Sequence, residues 1–215
     1  GTVTNPHVAG SFQPGTGWDS TANPMTETVP GSDIWTASAS GLTPGERYEF
    51  KVTTSDWGTS VPTSGNSWFF ADANGEITFT YDGNAYTDGW LPSADRLGLS
   101  TDPGAWSIVG SLNGWSNNDA AWAMTAQGGG IYSLTRTVAA GDYDWKAVVT
   151  GSWDAIGADN RSVNADNIFL SLADESVVNF YVDAFGGTVK AEVVPEPASM
   201  ALLGLGALLA LRRKK

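Results

Sequence analysis

Several short motifs of this 215-residue chain occur twice, in the same order and about 100 residues apart. The first copy reads VAGSF at 8–12 and GERYEFK at 45–51, whereas the second reads IVGSL at 108–112 and GDYDWK at 141–146. A third pair, ITFTYD and VNFYVD, follows near the end of each copy. Because the order is kept throughout, the chain contains a duplication. The fold should therefore contain the same structural unit twice.

Within each copy, apolar and polar residues alternate over short segments that are separated by turn residues. Tyr48, Phe50 and Val52, for example, alternate with the charged Glu49 and Lys51. A period of two buries one face of a strand and exposes the other. Turn signals every 8–12 residues are typical of a β-sandwich. The sequence therefore predicts an all-β fold of two tandem β-sandwich modules, of the immunoglobulin-like (early-set) type, followed by a short C-terminal hydrophobic helix.

The duplicated motifs also predict the domain boundaries. The first module covers residues 1–91 and the second covers 105–193. Residues 92–104 contain two prolines and two glycines, a composition typical of a linker. Residues 194–215 form a separate tail. The first module is the more divergent copy, and we expect it to be mainly structural.

Composition excludes several kinds of site. The chain has no cysteine, which excludes a disulfide scaffold, a thiolate metal site and a cysteine nucleophile. The single His7 excludes a histidine-rich metal site and leaves little room for a Ser-His-Asp triad. Carboxylates such as Asp142 and Asp144 share the exposed face of an alternating strand, so they do not form a catalytic pair. We predict no enzymatic activity, no metal and no cofactor.

The net charge of −12 is unevenly distributed. Four of the eleven basic residues close the chain, so the residues before Pro195 carry seven basic and 22 acidic side chains. So acidic a surface repels phosphate backbones, and nucleic acid is excluded as a partner. It favours solubility and a neutral or cationic partner.

The tail has three parts in a fixed order. Pro195, Glu196 and Pro197 precede an apolar run over 198–211, and Arg212, Arg213, Lys214 and Lys215 follow it. As a helix the run spans about 21 Å, less than the roughly 30 Å of a bilayer core. Basic residues after a short span hold it on the cytoplasmic side, as a membrane stop.

This tail resembles the PEP-CTERM tail of Gram-negative bacteria that make exopolysaccharide. In that family an exosortase, a membrane transpeptidase-like enzyme, recognises the Pro-Glu-Pro motif and processes the tail. The resemblance implies an exported protein at the cell surface or in the extracellular matrix, with transient inner-membrane contact through the tail. It also implies the sorting motif Pro195, Glu196 and Pro197.

The second copy resembles glycogen- and starch-binding β-sandwich modules, including those of pullulanases. The similarity is carried by GSLNGWS at 110–116, GGIYSL at 129–134, AAGDYDWKAVVTGSW at 139–153 and DNIFL at 166–170. The sequence departs from the family by having Leu112 where phenylalanine is usual. In that family two tryptophans, a lysine and an asparagine line the glucan site. The resemblance implies the corresponding residues here: Trp115, Lys146, Trp153 and Asn167, with Asp166 and Asn164 as alternatives for Asn167.

These residue types suit a sugar. The apolar face of a pyranose covers an indole, which contributes about 1–2 kcal/mol per ring. Lysine donates to hydroxyl groups, and asparagine supplies a donor and an acceptor. The sum predicts weak binding, with a Kd of about 1 mM to 1 µM. Without the resemblance, a tryptophan in a β-sandwich more often belongs to the core than to a binding surface.

Two functions follow from these patterns. The first is a non-catalytic, surface-delivered protein that contacts polysaccharide, either a starch-like glucan or the exopolysaccharide matrix. The alternative is a structural subunit of a surface layer, sheath or extracellular filament. Exposed strand edges join edge to edge, and a head-to-tail contact that does not close gives a filament through self-association.

Overall fold

The computed structural model describes residues 3–83, 96–99, 101–158 and 160–195. Over these ranges the chain consists of short β-strands, and helix is limited to single 3-10 turns at Ser111–Asn113 and Ala120–Trp122. The prediction of an all-β chain is therefore confirmed. The predicted C-terminal hydrophobic helix lies outside the described residues.

The described strands of the first half form two antiparallel sheets. The strands are β1 (His7–Gly10), β2 (Thr26–Glu27), β3 (Ile34–Ala39), β4 (Arg47–Thr53), β5 (Ser60–Val61), β6 (Ser67–Phe70), β7 (Ile77–Asp82) and β8 (Arg96–Leu99). One sheet has the order β1-β4-β5, with β6 also pairing with β4. The other sheet has the order β2-β3-β7-β8. The segment 92–104, predicted as a linker, thus contributes a strand to this second sheet.

The second half repeats this arrangement. Its strands are β9 (Trp106–Gly110), β10 (Thr125–Gly128), β11 (Ile131–Val138), β12 (Gly141–Val149), β13 (Asp154–Gly157), β14 (Asn160–Val163), β15 (Ile168–Leu172), β16 (Ser176–Asp183) and β17 (Thr188–Val194). One sheet has the order β14-β13-β12-β15, with β9 also pairing with β12. The other has the order β10-β11-β16-β17.

In each half, one hydrophobic core contains side chains from both sheets. In the first half, Phe50 and Val52 of β4 share a core with Ile77 and Phe79 of β7. In the second half, Trp145 of β12 shares a core with residues of β16 that include Phe180. The alternation of buried and exposed residues along β7 follows the period of two that the sequence shows. Burial of one strand face against a facing sheet is what holds each half together.

The turn after the first strand of each half has the same hydrogen bonds. The Gly10 amide donates to Gln13 Oε1 at 3.1 Å, and the Gly110 amide donates to Asn113 Oδ1 at 3.0 Å. A Cβ atom at either glycine would collide with a carbonyl oxygen of the neighbouring strand, Glu49 in one half and Asp144 in the other. Both positions therefore require glycine, which accounts for its recurrence in the two copies.

The two halves pack against each other through Trp68. This β6 side chain is buried in the core of the second half, where its ring centroid lies 6.0 Å from that of Trp106. Its indole Nε1 donates to the Ser162 carbonyl at 3.1 Å. Arg161 lies beside it, fully buried, with its guanidinium carbon 4.1 Å from the Trp68 ring centroid, and burial lowers the pKa of this arginine. The domain boundaries stay a prediction. A side chain of the first half, Trp68, nevertheless packs in the core of the second half.

Candidate functional site

Lys146 lies on the outer face of the β12 sheet. Its neighbours in sequence, Trp145 and Ala147, both belong to the core, so strand alternation places Lys146 on the opposite side. Tyr143, two residues before Trp145 and on the same face of the strand, packs against the same core. One face of β12 thus packs in the core, and the opposite face carries Lys146.

The Lys146 ammonium is held in a fixed position although it faces outward. Only 4% of the residue is exposed, and Nζ donates to Asn164 Oδ1 at 2.9 Å and to the Ala165 carbonyl at 2.7 Å. Nζ also lies 5.7 Å from the Trp115 ring centroid and 6.0 Å from that of Trp153. The cation therefore sits between two indole rings, within the range of cation–π attraction.

Backbone geometry presents the two rings. Trp115 has a left-handed φ of 63°, and its amide donates to the Gly110 carbonyl at 2.9 Å. Trp153 ends the turn after β12, is 42% exposed, and accepts a hydrogen bond from the Asn164 amide at 2.7 Å through its carbonyl. A left-handed φ is uncommon for a bulky residue, so the fold holds Trp115 in place against a local preference.

Together these groups line an open depression of about 540 Å³ on the surface. Its lining residues are Trp115, Lys146, Trp153, Asn164 and Asn167. The structure thus brings together all four residues that the sequence singles out, and their role in binding stays a prediction. Asn164 and Asn167, the alternatives for one position, both line the depression. Both are exposed, so both amide groups face solvent.

Two features of this face have no clear sequence signal. Asn164 adopts a left-handed φ of 53°, which asparagine tolerates, and thereby reaches both Lys146 and Trp153. Phe169 is 65% exposed on β15, where its neighbours Ile168 and Leu170 pack against the core. The continuous apolar run Ile-Phe-Leu hides this exposure, because it lacks the alternation that separates the two faces. Phe169 extends the outer face of the same sheet beyond Asn167.

The remaining predicted sites fall mostly outside the described residues. Pro195 is exposed at the end of β17, whereas Glu196, Pro197, Arg212, Arg213, Lys214 and Lys215 lie outside the described part of the chain. Where the structure describes the chain, no helix has the length and apolar character needed to cross a membrane. The described ranges also contain no group of three or more His, Cys, Asp or Glu side chains that could hold a metal ion.

Two segments of the chain match known families. Residues 104–187 match the pullulanase X25 domain, and residues 193–215 match the PEP-CTERM protein-sorting motif. The first match contains every residue that lines the depression. It covers less than half of the chain and leaves the first half unassigned.

Curated relatives are similar over more of the chain. An amylopullulanase of Thermoanaerobacter thermohydrosulfuricus is 26% identical over 203 residues, which cover 88% of this chain and 14% of the relative. Amylopullulanases of Thermoanaerobacterium thermosulfurigenes and Thermoanaerobacterium saccharolyticum are 26% and 24% identical, and the chain spans 10% and 15% of their lengths. These alignments cover 83% of this chain, so they extend into the first half. The chain thus joins a segment that matches the pullulanase X25 domain to a segment that matches the PEP-CTERM protein-sorting motif.

Proposed function

We propose that this chain is an exported, non-catalytic protein that binds polysaccharide through the depression on its second half. The observation that carries the proposal is the arrangement of two partly exposed indole rings on either side of a buried cation. A neutral sugar chain suits this surface, because the net charge of −12 disfavours polyanions.

The depression offers the groups that a pyranose needs. Its apolar ring face stacks on Trp153 and Trp115, each of which contributes about 1–2 kcal/mol. Asn164 and Asn167 supply donors and acceptors to adjacent hydroxyl groups. Lys146 forms the floor, fixes the Asn164 amide and polarises both rings from below. The favourable free energy of two stacked rings and a few hydrogen bonds is partly offset by the free-energy cost of association. The expected Kd is therefore about 1 mM to 1 µM.

The family matches favour a starch-like glucan over the exopolysaccharide matrix as the ligand. The segment that carries the depression is the one that matches the pullulanase X25 domain, and the similar relatives are amylopullulanases. The chain spans only 10–15% of those relatives, so their activity is not transferred to it. The shared segment acts here as a binding module.

The architecture and the tail complete the proposal. We assign residues 1–91 together with β8, and residues 105–193, to two immunoglobulin-like sandwich modules, in keeping with the shared core of each half. The tail at 194–215 contacts the inner membrane transiently and is processed by an exosortase-type enzyme, which delivers the protein to the cell envelope. Neither family match favours the alternative of a self-assembling layer or filament subunit.

Titration with maltoheptaose tests the binding site. Trp153→Ala and Asn167→Ala change exposed residues, so both variants should fold and bind about 5–30-fold more weakly than the wild type. Phe185→Ala removes a similarly exposed ring from the turn between β16 and β17 and should bind as the wild type does. A wild-type protein without measurable affinity for millimolar maltoheptaose would overturn the proposal.

A further inference from the structure

In both halves, a tryptophan with the same backbone conformation and the same backbone hydrogen bond follows the first strand. Trp18 has a left-handed φ of 59°, and its amide donates to the Gly10 carbonyl at 3.0 Å. Trp115 has a φ of 63° and donates to the Gly110 carbonyl at 2.9 Å. The two tryptophans therefore occupy equivalent backbone positions after the first strand of each half.

A lysine and a second tryptophan accompany Trp18. Lys51 follows the core residue Phe50 on β4, so it lies on the outer face of its sheet, and Nζ donates to the Pro62 carbonyl at 2.7 Å. Trp57 is 42% exposed, as Trp153 is, and its ring centroid lies 6.4 Å from that of Trp18 at an angle of 38°. Trp18 and Trp57 adjoin each other, and together with Lys51, the counterpart of Lys146 in the repeat, they are here called the first-half cluster.

The cluster differs from the depression in one useful respect. In the second half the lysine ammonium lies near both rings, whereas in the first half the two ring centroids lie 6.4 Å apart. Lys51 is also less buried than Lys146, and burial lowers the pKa of Lys51. The first half therefore offers a pair of adjoining indole rings.

A short segment connects the cluster to the depression. It begins at Pro62, the acceptor for Lys51, and ends at Asn66, whose carbonyl accepts a hydrogen bond from the Val163 amide at 2.8 Å. Val163 precedes Asn164, which lines the depression. Residues 62–66 span at most about 15 Å, so the carbonyl that binds Lys51 and the carbonyl that binds Val163 lie no farther apart than about that distance.

The strand that carries Lys51 also contacts the second half directly. Arg47 lies four residues before Lys51 on β4 and hence on the same face. Its guanidinium reaches the carboxylate of Asp154, and Asp154 directly follows Trp153. Asp154 shares its side of β13 with the core residue Ile156, so the ion pair joins the outer face of the first half to the inner side of the second-half sheet and fixes the relative position of the halves.

From this geometry we infer that the first-half cluster is a second saccharide site, and that one polysaccharide chain binds the cluster and the depression together. The inference rests on the proposed function and extends it to residues that no family match covers. It replaces the expectation that the first half is mainly structural. Binding of one chain at two adjoining sites raises affinity through effective concentration, by at least about tenfold.

Indole N–H signals in ¹⁵N-labelled protein separate the two sites. Maltotriose should shift the Trp57 and Trp153 signals in the wild type, and the Trp57 signal should still shift in Trp153→Ala. A Trp57 signal that stays fixed while Trp153 shifts would overturn the second site and leave the proposed function intact. A fixed Trp153 signal beside a shifting Trp57 would contradict the proposed site alone, and two fixed signals would overturn both.

Chain length tests whether one ligand joins the sites. Trp57→Ala should lower the affinity for long amylose at least about tenfold, while the maltotriose affinity reported by Trp153 changes less than about twofold. Trp57→Phe keeps an aromatic ring and should restore most of the amylose affinity, and Phe185→Ala should leave both affinities unchanged. Equal amylose affinity in the wild type and Trp57→Ala would overturn the joint binding.

Discussion

Arg47 and Asp154, which are 107 positions apart, form a two-pronged ion pair between the halves, with Nε donating to Oδ2 at 2.7 Å and Nη2 donating to Oδ1. The carboxylate is nearly buried, whereas a third of the guanidinium side chain is exposed. The hydrogen bond from Arg47 to Asp154 raises the pKa of the arginine, so the guanidinium stays charged at any ordinary pH. Planar, double hydrogen bonding of this kind fixes an angle as well as a distance.

Removal of one partner should therefore destabilise the contact between the halves. Asp154→Asn keeps the shape but leaves Arg47 with Glu49 as its remaining charge partner, and we expect unfolding to cost about 1–3 kcal/mol less than in the wild type. Urea titration followed by tryptophan fluorescence measures the change. The matched control is Glu192→Gln, which breaks the more exposed pair with Lys190 and should cost less than about 1 kcal/mol. Equal effects of both variants would contradict a structural role for the Arg47 pair.

Glu49 makes stability depend on acid pH. Burial acts to raise its pKa, but hydrogen bonds from Asn66 and Arg47 outweigh burial and place the pKa below its ordinary value of 4.5. The unfolded chain then binds more protons than the folded chain in this range. The contribution of Glu49 is present above pH 4.5 and is lost as the pH falls through the lower folded pKa.

Glu49→Gln should flatten this part of the pH dependence. Urea midpoints measured from pH 6 down to about pH 3 should fall less steeply in the variant than in the wild type. Asn66→Ala removes one donor to Glu49 and keeps the carboxylate, so it should give an intermediate curve. Superimposable curves for the wild type and Glu49→Gln would rule out this contribution.

Truncation of Trp68 should lower the free energy of unfolding far more than truncation of Trp153. Trp68 is buried in the second-half core, so Trp68→Ala leaves a cavity and should cost about 3–5 kcal/mol of unfolding free energy. Trp153→Ala removes an exposed ring and should cost less than about 1 kcal/mol. Thermal melts of the two variants measure both values. A large loss of stability in Trp153→Ala would mean that this ring serves packing.

The tail should be removed where an exosortase is present. Because the tail matches the sorting motif and its apolar run is short, we expect surface protein to lose the residues after about Pro197. Intact-mass measurement detects the loss, and Glu196→Ala, which alters the motif alone, should retain the full tail. Surface protein that still carries Arg212 to Lys215 would contradict the expectation.

Local alternation predicted the strands, as around Phe50 in β4, because the period of two depends on neighbours in sequence. The members of the site followed from the resemblance to glucan-binding modules. The contacts between the halves have no corresponding pattern in the sequence. Nothing near Trp68 indicates that it enters the core of the other half, since its partners Trp106 and Ser162 are distant in sequence.

The sequence predicted which residues line the site, but not the contacts that hold them in place. The sequence gives no signal that Lys146 would be buried or that Asn164 would hold it, because both depend on how the β14–β15 turn folds over β12. The exposure of Phe169 was hidden for a related reason. Its neighbours on both sides are apolar, so only the facing sheet decides which of the three side chains is buried.

Three tryptophans, Trp18, Trp57 and Trp115, occupy left-handed backbone positions of the kind that usually go to glycine or asparagine. Each costs about 1–2 kcal/mol that a smaller residue would avoid. A variant library sorted for heat resistance alone should therefore drift toward glycine or asparagine at these positions. The same library sorted on immobilised amylose should keep the indoles, so the two selections would pull this protein in opposite directions.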